Sequence, residues 1–426
     1  MLFQRNSFMT AMLRGRLLSG LIRLSSSCVV PSPAPSSSVN SPDVDSDGTS
    51  DANKDLAVDE TWIPSNNKHY VKKKKITRPR FAMLLSFHGS NYYGMQFNSH
   101  GPAIENILFD AFIKIGLLPE EKIRAARYYL DYQRASRTDR GVSALRQVVS
   151  LRITKGFNID GINEFLPDDI RVLGIKPVDM IFDAQTWCTA RTYSYIMPTY
   201  ALRYFDKSWN DCHKYRIDSL SVLKASQIFE MFRGTHHFHN YTEKIDIWDQ
   251  RSQRKINDTE VSNPFLMGEV EMIEFKLTGQ SFMLHQIRRM IGMVIAIMRG
   301  KATFSMLQET LEHPMMPAPT APALGLLLEK QHFDSYNKSR KTTMPLEWDE
   351  YDDEVEKFKL EKIVPYMVKV ELEQKHMETY LDRKMRRHSF KGNDLSSKMR
   401  QVGKWDNTED LEKLLKGDED DSSKEK

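Results

Sequence analysis

The sequence predicts an α+β protein of two lobes, each a mainly antiparallel sheet with helices packed on its outer side. The chain has 426 residues, of which 40% are hydrophobic, so it can bury the core of two lobes. Apolar runs with the alternation of strands recur through the middle of the chain. Between them lie segments whose apolar residues recur every three to four positions, as on an amphipathic helix.

The individual elements follow from these two periodicities. Strands are predicted at residues 81–87, 126–130, 147–153, 170–178, 190–197, 270–277 and 323–328. Helices are predicted at residues 103–115, near 162–166, at 219–232, and in a segment opened by residues 279–282 whose apolar stripe is Ile287, Ile291, Val294 and Met298.

The N-terminal part of the chain differs in composition from this middle. Residues 1–42 contain four arginines and no acidic residue, and residues 1–30 are predicted to be a mitochondrial transit segment. A secretory signal is the alternative, although Arg23 interrupts its short apolar patch. Residues 31–78 are predicted to be a disordered linker, because much of this stretch is rich in Pro, Ser and Asp and poor in large apolar residues.

Charge is unevenly distributed. The formal net charge is +4, but residues 406–426 carry nine acids and four lysines, a net of −5, which leaves about +9 on the remainder. Such a basic body suggests a polyanionic partner. The linker ends in a basic run that is predicted to touch RNA or to act as a nuclear localisation signal, with a solvated charge run as the third reading: Lys72, Lys73, Lys74, Lys75 and Arg78. We therefore expect the protein in the mitochondrion, the nucleus or both.

The C-terminal part is predicted to hold a charged helical extension at residues 335–390 and a disordered acidic tail at 391–426. The folded core is expected at residues 79–334. Its longest apolar run, at 290–298, is too short to span a membrane.

Motifs for cofactors are missing from the sequence. Cys28, Cys188 and Cys212 have no metal-type spacing and suit reduced thiols of an intracellular protein. His236, His237 and His239 have no nearby cysteine, so packing with an RNA contact is the preferred interpretation and a metal site the lesser one. The chain has no Walker-type or GxGxxG loop, and we expect no metal, redox or nucleotide cofactor.

The most informative stretch runs from Arg134 to Ala144. Gly141 permits a sharp turn, and Asp139 has arginines on both sides. Neighbouring positive charge keeps a carboxylate ionised, and an anionic oxygen on a rigid turn can act as a nucleophile. A solvated ion pair or a turn cap is the alternative interpretation of such an arrangement.

This stretch resembles the signature of the TruA family of tRNA pseudouridine synthases, through Arg137-Thr138-Asp139, Gly141-Val142, Ala144 and Gln147-Val148-Val149. Two later segments resemble further family motifs: Arg191-x-Tyr193-x-Tyr195, and residues 282–292 with Arg288. Taken without the resemblance, the tyrosines suit a sheet face and Arg288 suits a solvated helix end. Where bacterial members of the family have Tyr-Asp-Gly, this chain has Phe87-His88-Gly89, so no acid there receives a role.

The resemblance covers roughly residues 79–334, leans toward the eukaryotic nuclear and mitochondrial branch, and implies how the chain works. The two sheets would join across a central cleft that holds the signature loop, which is the stretch from Arg134 to Ala144. Asp139 would attack C6 of the base or C1′ of the ribose of a flipped uridine, with Arg137 and Arg288 holding its carboxylate and Tyr193 stacking on the base or accepting the C5 proton.

The implied partner is tRNA, with mRNA or another structured RNA as a further possibility, and Arg134 and Arg289 are expected to contact it. Two other function classes stay open. One is a non-catalytic RNA-binding or RNA-folding module. The other is an N-glycosidase with a carboxylate pair, although no second acid near Asp139 lies in a comparable motif.

Overall fold

The computed structural model describes residues 78–389, apart from 155–157, 205–211, 244, 314–315 and 340–342. The predicted transit segment, nearly all of the linker with Lys72 to Lys75, and the acidic tail lie outside the described residues. Within the described ranges, no helix has both the length and the apolar character needed to cross a bilayer.

The core of the protein is one ten-stranded sheet in the order β4-β1-β3-β10-β5-β9-β7-β6, with β2 paired to β3 and β8 to β9. All strand pairs are antiparallel except β3 and β10, which run parallel at the centre. The strands are β1 (Arg80–Phe87), β2 (Gln133–Arg134), β3 (Ser143–Arg152), β4 (Ile170–Val178), β5 (Ala190–Pro198), β6 (Gly234–His237), β7 (Gln253–Val261), β8 (Phe265–Met267), β9 (Val270–Gly279) and β10 (Leu326–His332).

Ten α-helices are described beside this sheet. They are α1 (Ile104–Lys114), α2 (Ala126–Tyr129), α3 (Ile159–Asn163), α4 (Ser219–Glu230), α5 (Gln286–Met298), α6 (Phe304–Glu312), α7 (Asp334–Asn337), α8 (Asp352–Phe358), α9 (Val364–Gln374) and α10 (His376–Thr379). Two π-helical segments, Lys359–Ile363 and Tyr380–Met385, follow α8 and α10. The α+β class is therefore confirmed, and the two predicted lobes are the two halves of one continuous sheet.

Most element predictions are confirmed within a few residues, and β4 coincides with its predicted bounds. The strand predicted at 126–130 is wrong, because that segment forms α2. Its place beside β3 is taken by β2, where Gln133 pairs with Ser150 and Arg134 with Val149. The helix expected to open at 279–282 begins instead at Gln286, because His285 takes the left-handed conformation with φ of 60°.

The two halves of the sheet meet between β3 and β10, and each half has its own apolar core on one face. In the first half, Met83 and Leu85 of β1 pack with Leu108 and Phe112 of α1. In the second half, strands β5 and β9 pack with α4, α5 and α6. Because side chains alternate along a strand, Ala82 belongs to a further cluster on the opposite face.

The C-terminal helices cover part of that opposite face. Phe358, Val364 and Met367 pack against Ile196 and Leu327 of the central strands. After α9 the chain joins the core of the second half, where Met377, Tyr380 and Leu381 are buried. The extension thus touches both faces of the sheet.

A buried ion pair joins this extension to the sheet. Lys359 donates to both carboxylate oxygens of Glu274 on β9, at 2.9 and 3.0 Å, and the two side chains are 6% and 8% exposed. Burial lowers the pKa of Lys359, but the charges of Glu329 and Glu274 outweigh this and raise it above its ordinary value. Lys359 is therefore a charged residue in the core with matched partners.

Replacing this lysine should destabilise the fold. Lys359→Met leaves Glu274 buried without its main counter-charge, which should lower the free energy of unfolding by about 3–5 kcal/mol in urea denaturation. Lys369→Met is the matched control, because Lys369 lies on the same extension, is 67% exposed and has only a 4.0 Å ion pair with Glu373. The control should change stability by less than about 0.5 kcal/mol. Equal effects of the two substitutions would contradict the role of the buried pair.

Candidate active site

The signature loop connects β2 to β3, at the centre of the sheet. Thr138 is buried, whereas Arg137 and Asp139 are exposed. The loop closes with a turn in which the Val142 N–H donates to the Asp139 carbonyl at 3.1 Å, and Gly141 takes a φ of 79°. That conformation is easily reached by glycine and rarely by other residues, so the turn that presents Asp139 depends on Gly141.

A glycine-containing aromatic turn at residues 88–94 supports this loop from one side. The Met95 N–H donates to the Thr138 carbonyl at 3.3 Å, and the Gly141 N–H donates to the Tyr92 carbonyl at 3.1 Å. A Cβ atom on Gly94, whose φ is 88°, would lie 2.4 Å from the Thr138 carbonyl oxygen. The two backbones therefore approach more closely than any side chain at Gly94 would allow.

Buried amides hold the loop from beneath. Gln147 of β3 donates to the Ser136 carbonyl at 3.0 Å, and Gln331 of β10 donates to the Gln147 side chain at 2.9 Å. The Gln331 oxygen also accepts from the Val148 N–H at 2.8 Å. Both glutamines are almost fully buried, so these bonds link the loop to both central strands in the absence of competing water.

The side chain of Arg134 lies in the core rather than at the surface. Its side chain is 7% exposed and donates to Glu105 of α1, which is fully buried, through two bonds, one of 2.8 Å. Burial lowers the pKa of Arg134, but the hydrogen bond and charge of Glu105 raise it above its ordinary value. An RNA contact by Arg134 does not fit this placement, because the donors that would reach a phosphate are occupied and enclosed.

Tyr193 lies on β5 between β10 and β9 and packs against the cores of both half-sheets. Its ring meets that of Phe282 edge to face, with centroids 5.2 Å apart. The pKa of Tyr193 is raised to about 12, mainly by burial and partly by the nearby Asp139 carboxylate, while Arg191 and the Ser136 hydroxyl act in the opposite direction. Tyr193 is thus a neutral phenol at neutral pH, close to Asp139.

Arg288 approaches Asp139 from the first turn of α5. Its Nε donates to the Ala321 carbonyl at 2.8 Å. Burial lowers the pKa of Arg288 below its ordinary value, and the negative charge of Asp139 opposes this effect. Across the described ranges, no hydrogen bond or ion pair joins Asp139 to Arg288 or to Arg137, so the expected pairing is an electrostatic proximity in this structure.

The other predicted contact residues are scattered. Arg289 is 12% exposed and forms a 3.5 Å ion pair with Glu243. Arg78 lies over the Tyr129 ring, 4.3 Å from its centroid. The three histidines have different partners: His236 the Arg233 carbonyl, His237 the Ser252 hydroxyl, and His239 the His313 carbonyl. Among the residues that the structure describes, no three His, Cys, Asp or Glu residues are grouped to hold a metal ion.

Several residues that hold the site together have no role among the sequence-based predictions. They bind the signature loop or its flanking strand, and they are Glu105, Gln147, Gln331 and Arg191. Polar residues inside otherwise apolar strands are a signal for such partners, since a buried polar group needs a hydrogen bond. That signal marks Gln147 and Gln331 but does not identify what they bind.

The chain is similar in sequence to known proteins of one family. A sequence model of the family described as "tRNA pseudouridine synthase" matches residues 228–334. The chain is 34% identical to the mouse pseudouridylate synthase 1 homolog, over 79% of this chain and 83% of the mouse protein. It is 36% identical to the human homolog over 70% and 71% of the two chains. It is 28% identical to tRNA pseudouridine synthase 1 of Saccharomyces cerevisiae, over 69% of each.

The close approach at Gly94 can be tested by Gly94→Ala. A methyl group there would meet the Thr138 carbonyl, so we expect a loss of about 2–4 kcal/mol in the free energy of unfolding, measured in urea. Gly116→Ala is the matched control, because Gly116 has a similar φ of 74° and nothing within 4 Å of its Cβ position. The control should lose only about 1 kcal/mol from backbone strain. Equal losses would show that contact with the signature loop adds nothing.

Proposed function

We propose, since the chain belongs to the tRNA pseudouridine synthase family, that it isomerises uridines of tRNA to pseudouridine at the Asp139 loop. One observation carries the proposal for the site. Asp139, Tyr193 and Arg288 come from a loop, a strand and a helix that are far apart in sequence. Hydrogen bonds nevertheless join the strand of Tyr193 to the Asp139 loop, at 2.7 Å, and to the segment that precedes the helix of Arg288, at 3.0 Å. The site thus brings together a carboxylate, a phenol and a guanidinium, which are the groups that the proposed reaction needs.

The reaction breaks the N1–C1′ bond, rotates the uracil and forms a C5–C1′ bond. The C5 proton is lost and N1 gains a proton, so no atom is added overall. Asp139 supplies the nucleophilic carboxylate, which attacks either C6 of the base or C1′ of the ribose. Its exposure supports this role, because the oxygen is accessible to a base that has left the stack.

Tyr193 and Arg288 complete the site in this proposal. The edge-to-face contact with Phe282 fixes the Tyr193 ring, and a fixed neutral ring can pack against the flipped uracil. Arg288 retains its positive charge near Asp139 and stabilises the carboxylate before attack and as it leaves. Arg137 is exposed two positions before Asp139, where its charge helps Arg288 to hold the carboxylate in its anionic form.

The RNA is held by phosphate contacts, which position it without reading its sequence. We assign these contacts to exposed arginines around the loop, including Arg140, which lies over the Tyr93 ring at 4.3 Å. The basic run at Lys72 to Lys75 adds to them in the proposal. We extend the substrate class to mRNA and other structured RNAs, because phosphate contacts alone do not distinguish them from tRNA.

We further propose that residues 1–30 direct import into mitochondria and that Lys72 to Lys75 direct nuclear entry when the N-terminal segment is absent. The support is the arginine-rich, acid-free composition of residues 1–42. Fluorescently tagged full-length chain should reach mitochondria, and a chain beginning at Thr61 behind an added methionine should not. Identical distributions of the two forms in cells would refute the assignment.

The nucleophile assignment is tested by Asp139→Asn, which keeps the shape of the side chain and removes its charge. Release of tritium from tRNA labelled at C5 of uridine should fall by at least about 10³-fold. Binding of the tRNA should persist, since phosphate contacts supply most of the affinity. Asp110→Asn, at an exposed position on α1, is the control and should keep full activity. Turnover by folded Asp139→Asn protein near the wild-type rate would exclude Asp139 as nucleophile.

A further inference from the structure

We infer that Arg191 is a positioning residue, whose guanidinium holds the Asp139 loop in register with the Tyr193 strand so that both groups meet the same uridine. The inference rests on the proposed function, because it concerns the geometry of that same site. It assigns a specific task to an arginine that touches neither the nucleophile nor the reacting atoms.

The guanidinium of Arg191 has three separate partners. Its Nε donates to the Ser136 hydroxyl at 2.7 Å, and its Nη2 donates to the Ala135 carbonyl at 2.9 Å. Its Nη1 donates to the Gln280 carbonyl at 3.0 Å. All three nitrogens of the planar fork are therefore used, which a lysine ammonium cannot reproduce from a single point.

These partners belong to different parts of the site. Ala135 and Ser136 begin the signature loop, after β2 of the first half-sheet. Gln280 follows β9 of the second half-sheet and leads into the segment before Arg288. Arg191 itself lies on β5, directly opposite Gly279 and Gln331 in the two strand pairs. One side chain thus ties together the three segments that carry Asp139, Tyr193 and Arg288.

Ser136 is the residue through which the hydrogen bonds of Arg191 affect Asp139 and Tyr193. Its hydroxyl accepts from Arg191 and lies close enough to the Tyr193 hydroxyl to oppose, in small part, the rise of that phenol's pKa on burial. Its carbonyl accepts from Gln147, which fixes the same residue from below. Ser136 is three positions before Asp139, so a shift of Ser136 moves the carboxylate relative to the phenol.

A purely structural arginine would act differently. The loop is already bound to β3 and β10 through Gln147 and Gln331, and to the aromatic turn through Met95 and Gly141. Loss of the Arg191 bonds should therefore leave the loop folded but displaced. Displacement by about 1 Å can slow a reaction by about 10²-fold without weakening binding, because near-attack geometry is lost.

The test measures single-turnover conversion of C5-tritiated tRNA with enzyme in saturating excess. Under that condition the folded enzyme is still in excess over tRNA, so a misfolded fraction does not lower the observed rate constant. A displaced loop in the folded enzyme does lower it. Arg191→Lys should slow the rate constant by about 10- to 100-fold. Its affinity for tRNA should stay within about threefold of wild type, because the charge is kept. Ser136→Ala removes only one of the three acceptors and should slow the reaction less.

The double variant Arg191→Lys with Ser136→Ala should be slowed by less than the product of the two single effects, because both act through one bond. Arg171→Lys is the matched control. Arg171 on β4 also donates to two backbone carbonyls, Pro167 and Ile170, and to the Asp168 carboxylate, at the edge of the sheet farthest from β6. It should react at the wild-type rate.

A folded Arg191→Lys protein with the wild-type rate constant would overturn the inference, as would an equal loss in Arg171→Lys or a defect confined to tRNA affinity. If Arg191→Lys does not fold, Ser136→Ala decides, and a wild-type rate constant for it would overturn the inference. These results differ from failure of the proposed function itself, in which the wild-type protein would release no tritium from tRNA.

Discussion

The short parallel pairing of β3 with β10 is the constraint on which the rest of the structure depends. Leu327 and Leu328 lie beside Ser143 and Ala144, and this is the contact that makes one sheet from two antiparallel halves. Residues after the signature loop enter β3 at the same place. The Gln147–Gln331 bonds strengthen the junction where few backbone bonds are available. The loop of Asp139 is thus supported by the joint between the half-sheets.

Buried charges specify how the outlying segments attach to this joint. Glu105 and Arg134 connect α1 to β2, and Lys359 and Glu274 connect the C-terminal extension to β9. Each pair is buried. An unpaired charge in such a place is strongly destabilising, so arrangements that separate the partners are disfavoured. These pairs therefore favour the observed attachment of both segments.

The same burial sets the chemistry of the candidate site. It raises the pKa of Tyr193 to about 12, so the phenol stays neutral even in mildly alkaline solution, while Asp139 on its exposed turn remains accessible. The half-buried Tyr193 phenol and the exposed Asp139 carboxylate are therefore both open to a flipped base. Exposed side chains contribute little to the support of the loop. The hydrogen bonds to Ser136 and Thr138 come from a buried side chain and from backbone N–H groups.

Elements and motifs that depend on local chemistry were recognisable in the amino-acid sequence. Alternating and helical periodicity predicted β4 at 170–178 and α1 within a residue of its bounds, because those patterns reflect which face of each segment is buried. The motifs around Asp139, Tyr193 and Arg288 were recognisable because their residues are contiguous. Tertiary structure alone decided that 126–130 is helical, that Arg134 is enclosed by Glu105, and that Gln331 bonds to Val148 across 183 positions. Each of these depends on which distant segment occupies the neighbouring space, and no local pattern records that.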